Sequence, residues 1–213
     1  MNENISKIME MRVEKTIKNL EKNKMKGYYV KTKEELITLI DSLIENDKLI
    51  TSGGSMTLTE TGVIAHLNEK YGDIFAWREK CGSPEEIQEC FRKAFISDTF
   101  FMSSNAITEE GELYNVDGQG NRVSAMIFGP KQVIIVAGTN KIVPDMKAAE
   151  TRLEKIAAPA NTVRLNMDTP CAVKGECCHC HSDGRICCTY VRSGQQRVKD
   201  RIKVIFIEGD YGF

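Results

Sequence analysis

Six of the eight cysteines and two of the three histidines fall within the eighteen residues from Cys171 to Cys188. Thiolates and imidazoles packed that densely suit a zinc ion or an iron–sulfur cluster better than they suit core filling. Cys177-x2-Cys180 is the core of the pattern, because two intervening residues let both sulfurs reach one centre from a tight turn. Gly175 and Gly184 are available for the turns, and Lys174 and Arg185 would offset part of the thiolate charge. His179 and His181 could replace a cysteine at zinc, although histidines flanking such a loop more often face solvent. Disulfides are the competing reading, since the cysteine count is even and Cys177-Cys178 and Cys187-Cys188 are adjacent pairs. The N-terminus, however, alternates charged and apolar residues and has no continuous apolar segment of the kind that directs export. A reduced, cytoplasmic setting is therefore expected, and there metal is favoured over disulfides.

Composition narrows the class. The 213 residues are 41% hydrophobic, with 29 basic against 30 acidic side chains, enough to bury a full core at almost no net charge. That balance speaks against a nucleic-acid-coating protein. The longest strongly apolar run, Val133 to Ala137, is far too short to cross a bilayer. A soluble protein with neither nucleic acid nor membrane as partner is expected.

The elements that would position the chemistry alternate. Residues 1–27 read as a charged helical arm with a thin stripe of Ile5, Ile8, Ile17 and Leu20, supported by Glu3–Lys7 and Glu14–Lys18 pairs. Such an arm would lie on the main domain or form a homodimer contact. Tyr28–Val30 is a short strand, and Thr32-Lys-Glu-Glu35 opens a helix with Leu36, Leu39, Ile40, Leu43 and Ile44 on one face. Lys48–Thr51 is a strand, and Ser83-Pro84-Glu85-Glu86 starts a helix carrying Ile87, Cys90, Phe91 and Ala94, with Cys90 as a small buried hydrophobe. Thr99–Met102 and Gln132–Ala137 are strands, the second apolar from Val133 onward, as expected for a strand covered on both faces. Pro144 begins a helix with Met146, Ala149, Leu153 and Ile156 on one side, and Arg201–Ile207 is the last strand. This alternation predicts an α/β sandwich with a largely parallel sheet. The main domain spans residues 28–213, with residues 168–190 as the cysteine-rich excursion.

Two glycine-rich turns are candidate ligand sites. Gly53-Gly54-Ser55 follows a strand and precedes a helix near Thr57, which lets a phosphate or carboxylate approach the backbone. Thr57 and Glu60 fit a capping box, so Glu60 is read either as a structural cap or as a catalytic carboxylate. No nucleotide P-loop lysine or third glycine of a dinucleotide fingerprint is present in this motif. The second stretch, Ser103 to Ser124, is read as a hairpin with turns at Glu110-Gly111 and Asp117-Gly118. Its density of Asn, Thr and Ser at the end of a strand also suits ligand binding, with Arg122 as partner for an anionic group.

The segments Ser104–Leu113, Asn115, Asp117–Val123 and Gly129–Lys141 resemble the LUD (lactate-utilisation) domain family. Its short stand-alone branch is also similar at Ser52–Ser55 and from Thr169-Pro170-Cys171 through Cys187, so the match extends over most of residues 30–213. The resemblance implies a three-layer αβα sandwich, the fold shared by glucosamine-phosphate deaminases, ribose-phosphate isomerases and CoA transferases. It also implies a role in, or descent from, oxidation of lactate to pyruvate beside iron–sulfur partner proteins. Within the cysteine cluster the resemblance selects Cys171-x5-Cys177-x2-Cys180-x6-Cys187 as metal ligands, with Cys178, His179, His181 and Cys188 as additions. Four thiolates satisfy either Zn2+ or a [4Fe–4S] cluster, so the metal stays open.

The leading expectation is a protein that binds a small anionic organic ligand near that centre, with Glu60 and Glu110 as proton acceptors. The ligand contacts expected are Gly53, Gly54, Ser55, Thr57, Asn105, Ala106, Thr108, Gly111, Asn115, Asp117, Gly118, Gly120, Asn121 and Arg122. The competing expectations are a zinc-stabilised accessory or regulatory protein without catalysis, and a sugar-phosphate or CoA-ester enzyme by fold analogy.

Overall fold

The computed structural model describes residues 3–213; the Glu3–Lys7 pair, which needs the Glu3 side chain, lies outside the described residues. The first half of the chain runs α1 (Glu3–Lys22), β1 (Lys26–Val30), α2 (Lys33–Ile44), β2 (Ile50–Ser52), α3 (Met56–Glu60), α4 (Val63–Lys70), β3 (Phe75–Ala76), α5 (Pro84–Lys93) and β4 (Thr99–Met102). There follow β5 (Ala106–Thr108), β6 (Leu113–Asp117), α6 (Asn121–Ile127), β7 (Gln132–Gly138), β8 (Ile142–Val143), α7 (Met146–Arg152), α8 (Ala158–Arg164), α9 (Pro170–Lys174), β9 (Thr189–Ser193) and β10 (Ile202–Ile207).

Six strands form a wholly parallel sheet in the order β1-β10-β7-β4-β2-β3. Alternation along the central strands builds the layers on either side. On β7, Val133, Ile135 and Ala137 face one core while Ile134 and Val136 face the other. On β10, Val204 and Phe206 join the first core, and Ile205 and Ile207 the second. The second core is covered by α2 through Leu36, Ile40 and Ile44, and by α3 and α4 through Leu58, Val63 and Leu67. The first is covered by α1 and α6, giving the three-layer αβα sandwich.

Helix starts follow the sequence. Thr32 caps α2 by accepting from Glu35 N, and Glu35 accepts from Lys31 N at 2.7 Å. Ser83 caps α5 in the same way for Glu86 N, with Pro84 in the first turn. The α5 face expected in the core is only half-buried, because Ile87 and Phe91 line a cavity instead.

Three features differ from the sequence reading. The stripe of α1 is wider than Ile17 and Leu20: Val13 and Thr16 are also fully buried, so the second half of this helix belongs to the core while Ile5 and Ile8 are exposed. Among the described residues its ion pairs run outward, from Arg12 and Lys15 to Glu109, from Glu10 to Lys31 and from Glu21 to Lys26, and none joins Glu14 to Lys18. Ile156 is half exposed, because residues 153–157 form a π-helical turn closed by Ala158 N to Leu153 O. The wider turn rotates Ile156 off the buried face, and Pro159, which has no N–H to give the helix, follows directly. Finally, a second sheet of four strands, β8-β5-β6-β9, stands beside the first. Strands β8 and β9 are short or exposed and carry no apolar run by which periodicity could find them.

Candidate ligand-binding site

Four neighbouring parallel strands, β10, β7, β4 and β2, end on the same edge, and the residues just beyond them build one site. After β2 comes Gly53-Gly54-Ser55. A Cβ on Gly53 would sit 3.0 Å from Arg122 Cγ, and one on Gly54 would sit 2.9 Å from a terminal nitrogen of Arg78. The paired glycines thus make room for two arginines. Ser55 caps α3, accepting from Leu58 N, so the cap lies two residues before the expected Thr57. Thr57 is buried one turn on, where its Oγ1 accepts from Lys141 Nζ at 2.9 Å and lies 3.0 Å from the Tyr211 carbonyl.

After β4 come Ser103, Ser104 and Asn105. Arg122, from α6, donates to Ser103 O at 3.1 Å, Asn115 Oδ1 at 2.7 Å, Asn105 Oδ1 at 3.2 Å and Val116 O at 2.8 Å. Asp117 accepts from the backbone N–H of Gly118, Arg122 and Val123, which fixes the start of that helix. Burial holds the Arg122 guanidinium below its ordinary range, with Asp117 opposing.

After β7 come Thr139, Asn140 and Lys141. Lys141 is 3% exposed, and its ammonium donates to two neutral hydroxyls, Thr57 Oγ1 and Ser103 Oγ at 3.0 Å. Burial first, then the neighbouring Arg152 and Arg122, push its pKa down to about 7, with Glu60 opposing. Arg152 is itself buried and donates to the carbonyls of Asn140 at 3.2 Å and Asn105 at 2.6 Å. After β10 the chain crosses the same edge: Gly212, at φ +62°, donates to Glu60 Oε2 at 2.7 Å, and any Cβ there would meet Thr57 Oγ1 at 2.6 Å.

These residues open into a cavity of about 560 Å³, within the usual size of small-molecule sites. Its wall carries four cationic side chains, Arg78, Arg122, Lys141 and Arg164, against one acidic side chain among the described residues, that of Asp117. Of the expected ligand contacts, Gly54, Ser55, Thr57, Asn105, Asp117, Gly118, Asn121 and Arg122 line it. Gly53 and Asn115 stand behind Arg122; Ala106 and Thr108 are buried in β5; Gly120 begins α6; Gly111 turns the hairpin against α1, where a Cβ would lie 2.5 Å from Leu20 N. Glu60 is exposed outside the wall, bonded to the Gly212 N–H, and Glu110 is exposed on the hairpin turn, its carbonyl taken by Asn23. Lys141, Arg78, Arg152 and Arg164 went unmarked by sequence reasoning. For Lys141 a signal existed: it stands just past the carboxyl end of an apolar central strand, where open α/β sheets bind ligands.

The cysteine excursion forms one side of the cavity through Ile186, whose carbonyl would lie 3.4 Å from a Cβ on Gly118. All eight cysteines are free thiols. Cys171 is buried, its Sγ 3.4 Å from the hydroxyls of both Thr162 and Thr169. Cys177 Sγ accepts from His179 N, and burial raises its pKa, with that N–H opposing and Cys187, Glu154 and Cys171 adding smaller contributions. Cys180 instead pairs with Ser182 Oγ at 3.4 Å. His179 reaches Glu154 at 3.7 Å and is exposed, as is His181. The donor types suit zinc or a cluster, yet among the described residues no three Cys, His, Asp or Glu side chains converge on a common centre. As placed, the four cysteines do not fit the metal.

Among solved structures, the chain is similar to the crystal structure of a DUF162 family protein from Deinococcus radiodurans. The identity is 14%, the coverage 94% of this chain and 96% of that one, and the TM-score 0.52, which bears on the fold alone. No curated protein matches the chain. The LUD domain model matches residues 13–207, from the buried half of α1 to the end of β10, and the chain belongs to the LUD domain family.

Proposed function

We propose that the cavity binds a small organic acid of the 2-hydroxy or 2-oxo type, with Lys141 as the group that takes or returns a proton. The observation that supports this most is the excess of cations over carboxylates in a cavity at the carboxyl ends of four adjacent parallel strands. Arg122 spends its donors on protein oxygens and so supplies a fixed positive charge, whereas Lys141 rests only on hydroxyls that can exchange partners. Near neutrality its amine is divided between charged and neutral forms, the condition for a proton acceptor toward a substrate hydroxyl. Oxidation of a hydroxyacid also needs an electron acceptor, and a partner iron–sulfur protein, as the family resemblance implies, would fill that part. No step is assigned to the cysteine loop.

Calorimetric titration with lactate and pyruvate tests the reading, with CoA esters and sugar phosphates as the competing class. Binding of the simple acids, abolished in Lys141→Met, is expected. Binding of CoA esters in the absence of any acid binding would refute it.

A further inference from the structure

Resting on the acid-binding reading above, we propose that Arg78 and Arg164 form a second anion subsite on the wall of the cavity, and that the acid bound there carries a phosphoryl group. Both arginines line the same cavity as Lys141 and Arg122. Arg78 lies with its guanidinium against Gly54, where an added Cβ would sit 2.9 Å from a terminal nitrogen, and 5.4 Å from the centre of the Trp77 ring. Among the described residues its guanidinium has neither a hydrogen-bond acceptor nor an ion-pair partner, so its five donors are left for a ligand.

Arg164 is held differently, with Nε and a terminal nitrogen both on Asn161 Oδ1, at 3.0 and 2.7 Å. Its remaining terminal nitrogen is left for a ligand. Arg164 is exposed, and partial burial of its guanidinium and then the nearby charge of Arg78 lower its pKa, which sets the two guanidiniums near each other. Holding two like charges together beside a cavity is unfavourable unless something of opposite sign joins them. A carboxylate saturates one guanidinium fork, whereas a phosphoryl dianion has charge and oxygens for two. Ile87, Phe91 and Ala157 line the same cavity and give its wall an apolar component suited to a short carbon skeleton.

The test is calorimetric titration of the full chain with glycerate and with glycerate 3-phosphate, at matched ionic strength, for the native protein, Arg164→Gln and Arg78→Gln. The native chain is expected to bind the phosphorylated acid at least ~10-fold more tightly, a typical gain for a charge-assisted pair. Each variant should bring that ratio toward one. Inorganic phosphate alone should raise the melting temperature of the native chain and shift Arg164→Gln less. If the native chain binds both acids equally, the second subsite is refuted and the acid-binding reading stands. If the preference survives in both variants, the phosphoryl group is held elsewhere and the proposal falls. If neither acid binds, both readings fall together.

Discussion

Lys141 offers the sharpest test, because its burial makes a signed prediction about stability. Its ordinary value is 10.5 and its folded value is about 7. Below the lower value both folded and unfolded chains hold the proton, and the folded one carries a buried ammonium facing two hydroxyls and two nearby guanidiniums. Between the two values the unfolded chain binds more protons, so stability rises with pH through that window. At roughly 1.4 kcal/mol per pH unit, the gain from about pH 7 to about pH 9 is at most ~3 kcal/mol. Lys141→Met keeps the chain length and removes the charge. Thr57 and Ser103 still hydrogen-bond each other, at 3.3 Å, so the substitution strands neither hydroxyl. In urea titrations, Lys141→Met should exceed the native chain in stability at about pH 6, and the gap should close by up to ~3 kcal/mol at about pH 9. With urea slopes of roughly 1–3 kcal/mol per molar, the midpoints should converge by about 1 M or more. All other titrating groups are common to both proteins and cancel in the difference. Parallel stability curves across this range would show that the amine does not titrate near neutrality, and its role as proton acceptor would go with it.

The paired glycines should behave unequally. Gly53→Ala presses on the stem of an arginine held by four bonds and on the Phe100 ring at 3.3 Å, so a loss of about 1–3 kcal/mol in thermal unfolding is expected. Gly54→Ala meets only the free end of Arg78, so stability should change by less than about 0.5 kcal/mol while affinity for the phosphorylated acid falls. Cys90, whose pKa burial and then Cys81 raise to about 11, should be alkylated far more slowly than exposed Cys188 at about pH 8, read by peptide mass mapping.

The parts of the fold legible in the sequence were those whose signal is local. A cap such as Thr32 or Ser83 and an apolar run such as Val133–Ala137 each report on their own few residues, and the helices and the central strands followed from them. The hairpin turn at Gly111 was equally legible, while its position under α1 depends on a contact ninety residues away, from Asn19 to Glu109 O. The site divides in the same way. Gly54, Asp117 and Arg122 sit in motifs with a recognisable pattern, but the cations that give the cavity its charge come from separate elements. Arg78 follows β3 and Arg164 ends α8, where nothing in their immediate neighbours marks them, and Lys141 is marked only by its place just past the apolar strand β7. A near-neutral chain can therefore hold a strongly cationic pocket. Net charge restricts what the whole surface attracts, whereas specificity depends on which charges the topology gathers, and here the parallel sheet gathers them at one edge. The two candidate carboxylates are parted by the same topology: the fold turns Glu60 toward the Gly212 N–H and leaves Glu110 on an outer turn.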